Sequence, residues 1–175
     1  MLKPGDRAPS FDLPCAAGGR IARLSLAKFS TELALIFFYP RDFSFICPTE
    51  VTGFNRALKD FTDEATTVVG ASIDDAESHL KWARELGGIE FPLLADTDGK
   101  LAKAFGIFDE KEQVALRATF ILDQKRKVVF SASCPLNVGR SVVETLRIVR
   151  ALRTGQLCPA DWKPGVELIP SDTKF

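Results

Sequence analysis

The run Leu33–Tyr39 (LALIFFY) is apolar until its closing tyrosine, and an unbroken stretch of that length predicts a strand buried on both faces. Thr67–Ile73 (TVVGASI) predicts a second. Between them the period changes. Val51, Phe54, Leu58 and Phe61 recur every three or four residues, which predicts one amphipathic helix from Pro48 to Phe61. Asp75 then caps a helix with Leu80, Ala83 and Leu86 on its apolar face, stopped by Gly87-Gly88. Leu101–Phe105 reads as a shorter helix ended by Gly106. Arg117–Leu122 and Lys127–Ser133 flank the turn DQKR and predict a hairpin. Ser141 and Glu144 have capping-box spacing ahead of Val142, Leu146, Val149 and Leu152. Beyond Thr154 the period fades, and the proline- and glycine-bearing segment GQLCPADWKPGVELIPSDTKF predicts an irregular arm.

The order βαβα followed by ββα predicts an α/β sandwich, a mixed central sheet flanked by helices. It matches the thioredoxin-like arrangement and several others. No repeat, low-complexity segment or linker divides the chain. The expectation is one domain over 1–175, with a core over 1–153 and the arm over 154–175.

Composition narrows the function classes. The chain of 175 residues is 46% hydrophobic and 26% charged, which argues against disorder. Lysine plus arginine and aspartate plus glutamate both number 23, so no net field favours nucleic acid or an anionic membrane. The basic cluster Lys125-Arg126-Lys127 falls in the predicted turn and reads as solvated. The longest apolar run is far short of a membrane span, and the start MLKPGDRAPSFDL has no apolar core of a secretory signal. The expected address is cytoplasmic. In that compartment Cys15, Cys47, Cys134 and Cys158 are reactive or buried rather than structural disulfides, and one histidine without a CxxC argues against zinc.

Cys47 has the most informative setting. It lies between the apolar run and Pro48, whose missing N–H and fixed φ suit the first position of a helix. Cys47 is therefore at the N-cap or in the first turn. Unpaired N–H groups point there, and the helix dipole places about half a positive charge beside it. Both favour thiolate over thiol, and the thiolate is the nucleophile. The place is also the carboxyl edge of a sheet, where open α/β proteins build sites. Position alone leaves several roles open: a packed small hydrophobe, a metal ligand, half of a disulfide, or a nucleophile. A Cys–His hydrolase would need His79, which lies mid-helix with no orienting partner evident.

The wider segment FFYPRDFSFICPTE (Phe37–Glu50) resembles the active-site segment of the peroxiredoxins, Pro-x-x-x-Thr/Ser-x-x-Cys, with Pro40, Ser44 and Cys47 in register. GDRAPSFDL (Gly5–Leu13), ASIDDAESHLKW (Ala71–Trp82), RATFILD (Arg117–Asp123), VGRSVVETLRIVRAL (Val138–Leu152) and CPADWKPG (Cys158–Gly165) are similar to further family segments in the same order. The chain thus resembles the typical two-cysteine class, which includes the alkyl hydroperoxide reductase peroxidase subunit and the thioredoxin peroxidases. The resemblance implies a thioredoxin-like fold and a peroxidase acting on hydrogen peroxide and organic hydroperoxides. Cys47 would be the attacking thiolate and pass through a sulfenic acid. Arg117 and Ser44 would supply donors to the peroxide, with first-turn N–H groups adding more, and Pro40 would shield the thiolate. Glu50 and Arg140 would hold Arg117, and Trp82 would pack nearby. Cys158 of a partner subunit would close an intersubunit disulfide. A thioredoxin-like protein or a flavoprotein disulfide reductase would reopen it, and no cofactor or metal is implied. The family also implies homodimers, with rings of five dimers as a further assembly. Cys15 and Cys134 match no motif and read as packing or incidental thiols, and His79 as structural.

Two departures carry expectations. Ser44 keeps the hydroxyl but lacks the methyl of the commoner threonine. Gly87-Gly88-Ile89-Glu90 matches only part of the loop of oxidation-sensitive members, and the sequence given ends at DTKF without their Tyr-Phe helix, so resistance to sulfinic inactivation is expected. Two readings of other classes share Cys47: a peroxide sensor that relays its disulfide to a client, and an oligomeric chaperone whose thiol is a switch.

Overall fold

The computed structural model describes residues 1–170; the Asp172–Phe175 ending considered above lies outside them. The centre is β3 (Leu33–Phe38), buried at every position as its composition requires. It pairs in parallel with β4 (Thr66–Ser72) and antiparallel with β8 (Arg117–Leu122). With β1 (Asp12–Ala17), β2 (Arg20–Ser25), β5 (Leu93–Ala95) and β9 (Val128–Cys134), these form a seven-stranded mixed sheet ordered β2-β1-β5-β4-β3-β8-β9. A two-residue pair, β6 (Phe108–Asp109) with β7 (Val114–Ala115), stands apart.

Alternation along β3 feeds two cores. Ala34, Ile36 and Phe38 join the layer that contains Phe11, Phe29, Phe120 and helix α4 (Lys100–Ala104). Leu33, Leu35, Phe37 and Tyr39 face the other layer. That layer is covered by α1 (Cys47–Arg56), α2 (Leu58–Asp63), α3 (Ala76–Glu85) and α5 (Val142–Thr154). There Phe37 stacks on Phe54 with ring centroids 4.3 Å apart.

The single helix expected over Pro48–Phe61 is two. Ala57 leaves helical geometry at φ −90° and ψ 3°, while Val51, Phe54 and Phe61 still face the sheet on both sides of the break. Just before it, Asn55 bonds the Gly88 carbonyl and the Glu90 N–H, tying α1 to the segment after α3. In α3, Asp75 caps through Ser78 N–H as expected, but the buried stripe is Ala76, His79, Trp82 and Ala83. Leu80 and Leu86 sit half-buried at its margins. Ser141 caps α5 by accepting from Glu144 N–H; the reciprocal half of the box is absent because the Glu144 carboxylate pairs with Arg147.

The hairpin β1–β2 was not expected. Gly18 and Gly19 turn it with φ of 57° and 75°, left-handed at both central positions as a two-residue I′ turn demands. In the basic turn Arg126 is not merely solvated: its Nη2 donates to the Phe29 carbonyl, while Lys125 and Lys127 are exposed. The arm after α5 has no helix or strand through residue 170, but it is pinned. Leu157 bridges Ile169, Trp162 is buried, and Trp162 Nε1 donates to the Val166 carbonyl. Among the described residues no helix is long and apolar enough to cross a membrane.

Candidate active site

Tyr39 and Pro40 end the central strand inside the protein, both buried. The loop that follows turns through Phe43, at φ 52°, and delivers Cys47 as the first residue of α1. Phe45 on this loop is fully exposed, whereas Cys47 two residues later has no exposed surface. Pro48 fits the opening turn because no N–H is required there.

The first-turn N–H groups do not all face the sulfur, contrary to the sequence expectation. Thr49 N–H and Glu50 N–H both donate to the Ile46 carbonyl, and Pro48 has none. The donor at the sulfur is Arg117, the first residue of β8, whose Nη1 lies 3.3 Å from Cys47 Sγ. The same Nη1 lies 2.6 Å from Glu50 Oε2, and its Nε donates to the Leu136 carbonyl at 2.8 Å. Glu50 is three residues after Cys47 on one helix, so the carboxylate and the sulfur share a face.

Arg140 closes the cluster. Its backbone N–H and Nε donate to Glu50 Oε1 at 2.9 and 2.8 Å. Its Nη atoms reach Glu50 Oε2, the Phe38 and Ala118 carbonyls and the Thr119 hydroxyl. The three charged side chains are 1–6% exposed. Burial alone would raise the Glu50 carboxyl, but the hydrogen bonds and charge of Arg140, with the charge of Arg117, hold it below its ordinary range. Burial works against the Arg117 cation too, yet Cys47 and then Glu50 outweigh it and hold Arg117 above its usual value. Two guanidinium groups and one carboxylate leave the buried cluster one positive charge in excess when Cys47 is a thiol. The sum is zero when it is a thiolate. Uncompensated buried charge is costly, and an anion beside Arg117 would complete the balance.

The remaining residues singled out in the sequence are placed as follows. Ser44 is half-buried on the loop, and its hydroxyl donates to the Arg41 carbonyl at 3.2 Å rather than to Cys47. Trp82 is buried against Tyr39 and Phe43, with centroids 5.7 and 6.2 Å away. His79, expected to lack an orienting partner, has one: its Nδ1 lies 2.8 Å from Asp42 Oδ2. Cys158 is a free, half-buried thiol beside the Ala151 carbonyl and the Thr154 hydroxyl. Cys15 is buried in β1, where burial raises its thiol above the ordinary value. Cys134 is half-buried opposite Arg117 in register, on the wall of a cavity of about 200 Å³ that Arg117 and Arg140 also line.

Sequence reasoning missed the carbonyls of Phe38, Ala118 and Leu136, which fix the two guanidinium planes. Backbone acceptors carry no residue-type signal. The buried Asp42 was missed as well; the one signal for it was an acidic residue close to an apolar strand end.

The arrangement can present an ionised sulfur and a fixed cation to a small electrophile. The AhpC/TSA family profile matches residues 4–131. The chain is 38% identical over 170 residues to the putative peroxiredoxin YkuU of Bacillus subtilis, covering 92% of this chain and 94% of the relative. It is 37% identical over 176 residues to a thioredoxin peroxidase of Trypanosoma brucei rhodesiense, covering 94% and 88%. Its fold superposes on the reduced 2-Cys peroxiredoxin of Plasmodium vivax with a TM-score of 0.89 at 30% identity, covering 96% and 93%.

Proposed function

The chain belongs to the AhpC/TSA family and is a thiol-dependent peroxidase of the typical two-cysteine peroxiredoxin class, and on that footing we propose that Cys47 is its peroxidatic residue and Cys158 its resolving one. The Cys47 thiolate attacks one oxygen of the hydroperoxide. The S–O bond forms as the O–O bond breaks, and the departing oxygen takes a proton and leaves as water or an alcohol. Negative charge moves from sulfur onto the oxygens, and Arg117 is fixed where it can follow that charge. Ser44 joins by turning its hydroxyl from the Arg41 carbonyl towards the peroxide. Glu50 and Arg140 hold the Arg117 plane, Trp82 backs the loop, and Pro40 keeps bulk water from the sulfur.

The Cys158 thiol of a partner subunit then attacks the Cys47 sulfenic acid, forming a disulfide and releasing water. The core over 1–153 carries the first step, and the arm from 154 carries the second. A homodimer is the minimal unit. A dithiol protein such as a thioredoxin, as the name of the trypanosomal relative indicates for that protein, or a flavoprotein disulfide reductase restores the thiols in the cytoplasm.

The observation that carries this reading is the Arg117 Nη1–Cys47 Sγ contact at 3.3 Å, within a cluster that balances only with an ionised sulfur. The test is non-reducing electrophoresis of the wild type, Cys47→Ser and Cys158→Ser after one equivalent of hydrogen peroxide. A covalent dimer is expected in the wild type alone. A dimer that persists in Cys158→Ser refutes the resolving assignment, and steady peroxide turnover by Cys47→Ser refutes the nucleophile.

A further inference from the structure

Behind the loop that carries Cys47 lies a second buried polar cluster that the chemistry above does not use. Its hub is Asp42, whose side chain has no exposed surface. Three side chains converge on its carboxylate from two elements. Tyr39 Oη, at the end of β3, donates to Oδ1 at 2.9 Å. Ser78 Oγ and His79 Nδ1, on α3, reach Oδ2 at 2.9 and 2.8 Å. The far nitrogen of the imidazole, Nε2, lies 3.0 Å from the Leu94 carbonyl of β5, so the ring is fixed at both ends. Asp42 N–H donates to Asp74 Oδ2, and Ser72 Oγ donates to that same oxygen at 2.6 Å.

Burial, followed by the charge of Asp42, pushes Tyr39 well above its ordinary range, so it remains a phenol and a donor. Elsewhere in the loop the holds are weaker: Phe43 is half-exposed with one face towards Trp82 and Lys81, Phe45 is exposed, and the Ser44 hydroxyl bonds only within the loop. The loop's polar anchors to the sheet and α3 therefore converge on one residue, Asp42, through its carboxylate and its N–H, five residues before Cys47.

We propose that Asp42, gripped by Tyr39, Ser78 and His79, is a positioning residue that latches the loop and the first turn of α1 in the wound form, and so sets how long oxidised Cys47 stays there before it meets Cys158. The inference rests on the assignment of Cys47 and Cys158 above. In the wound form the sulfenic acid faces Arg117 and a second peroxide. Attack there gives a sulfinic acid, with the peroxide reduced to water. Because Cys47 has no exposed surface, a partner's thiol reaches it only once this turn opens, and there the same sulfenic acid condenses with the Cys158 thiol to give a disulfide and water. The latch thus governs the partition between these two fates, and it does so without touching the reacting atoms.

The test is one pass of oxidation without reductant, with hydrogen peroxide in several-fold excess over Cys47, quenched and read by mass spectrometry as disulfide against Cys47 sulfinate. Asp42→Asn keeps the shape but loses the charged acceptor, and Tyr39→Phe removes one donor while keeping the ring against Trp82. Weakening one buried, charge-assisted hydrogen bond shifts an opening equilibrium by about tenfold. The disulfide-to-sulfinate ratio is expected to rise by about that factor in Asp42→Asn and by roughly threefold in Tyr39→Phe. The first oxidation should stay within about twofold, since the wound form remains the majority state.

Val149→Ala serves as a control, because it loosens the same core layer without touching the latch. Its ratio should match the wild type. An unchanged ratio in both latch variants, or an equal rise in Val149→Ala, overturns the proposal. A wild type that forms no Cys47–Cys158 disulfide refutes the resolving assignment instead. Hydrogen exchange of residues 41–46 in the reduced proteins then decides the latch alone: faster exchange in Tyr39→Phe supports it, and unchanged exchange overturns it.

Discussion

Cys47 and Cys158 are the same chemical group in opposite surroundings. Cys47 begins a helix with no exposed surface, beside a cation held by the Glu50 carboxylate and the Leu136 carbonyl, and a second arginine grips that carboxylate. Cys158 lies in an arm without regular structure, half-buried, with one hydroxyl and one carbonyl for company. The contrast suits the work proposed for each. Stabilising charge that appears for an instant needs donors already in place, because reorganising them would cost what they supply. Closing a bond between subunits needs a thiol that can travel. One chain thus holds an enclosed thiol in a charged grip and a half-buried thiol with only neutral neighbours.

The contrast can be broken at its rigid end first. Cys47→Ser should reduce steady-state peroxide consumption by at least about a thousandfold, since loss of a nucleophile leaves only binding and general electrostatics. Cys158→Ser should keep the first turnover and lose the rest, measured as a burst of one equivalent. Arg117→Lys keeps the charge but not the fork that reaches sulfur, carboxylate and carbonyl together. The rate of Cys47 oxidation by hydrogen peroxide, followed by stopped flow, should fall by about a hundredfold.

Glu50→Gln leaves two buried guanidinium groups without their counter-charge. About 3–5 kcal/mol of stability should be lost, seen as a Tm lower by roughly 10 °C. The same carboxylate makes the wild type acid-sensitive. Its folded value lies below the ordinary one, so its contribution is complete above about pH 4.3 and disappears as pH falls through the lowered folded value. Urea unfolding across that window should steepen for the wild type relative to Glu50→Gln. At the mobile end the effect is smallest. Arg147→Gln cuts the Nη1 bond to the Trp162 carbonyl, which ties the arm to α5. Disulfide formation should quicken two- to threefold while Tm moves by about 2 °C or less.

Much of this was legible in the chain. β3 announces itself as an unbroken apolar run, and β4 and β8 as mostly apolar ones, since a strand buried on both faces has no polar side to show. The break at Ala57 was not legible, because Val51, Phe54 and Phe61 keep their helical face across it. The β1–β2 hairpin is half-exposed and mixed in composition; its one clear mark was Gly18-Gly19. β5 has three residues, too few to display a period. In the site, Arg117, Glu50 and Arg140 came from the family resemblance, and their geometry follows from facing helix and strand ends. The grip of His79 on Asp42 joins positions 37 apart in the chain, which no local pattern records. The carbonyls that orient both arginines belong to the backbone, and their direction exists only once the sheet has formed.

The enclosure of Cys47 has a practical consequence for anyone who labels it. A bulky reagent such as a fluorescent maleimide cannot reach a sulfur with no accessible surface until the helix start comes apart. As reagent is added, the labelling rate will therefore climb and then level off at the speed of that excursion. The plateau is a stopwatch for the backbone and carries no news of how nucleophilic the sulfur is.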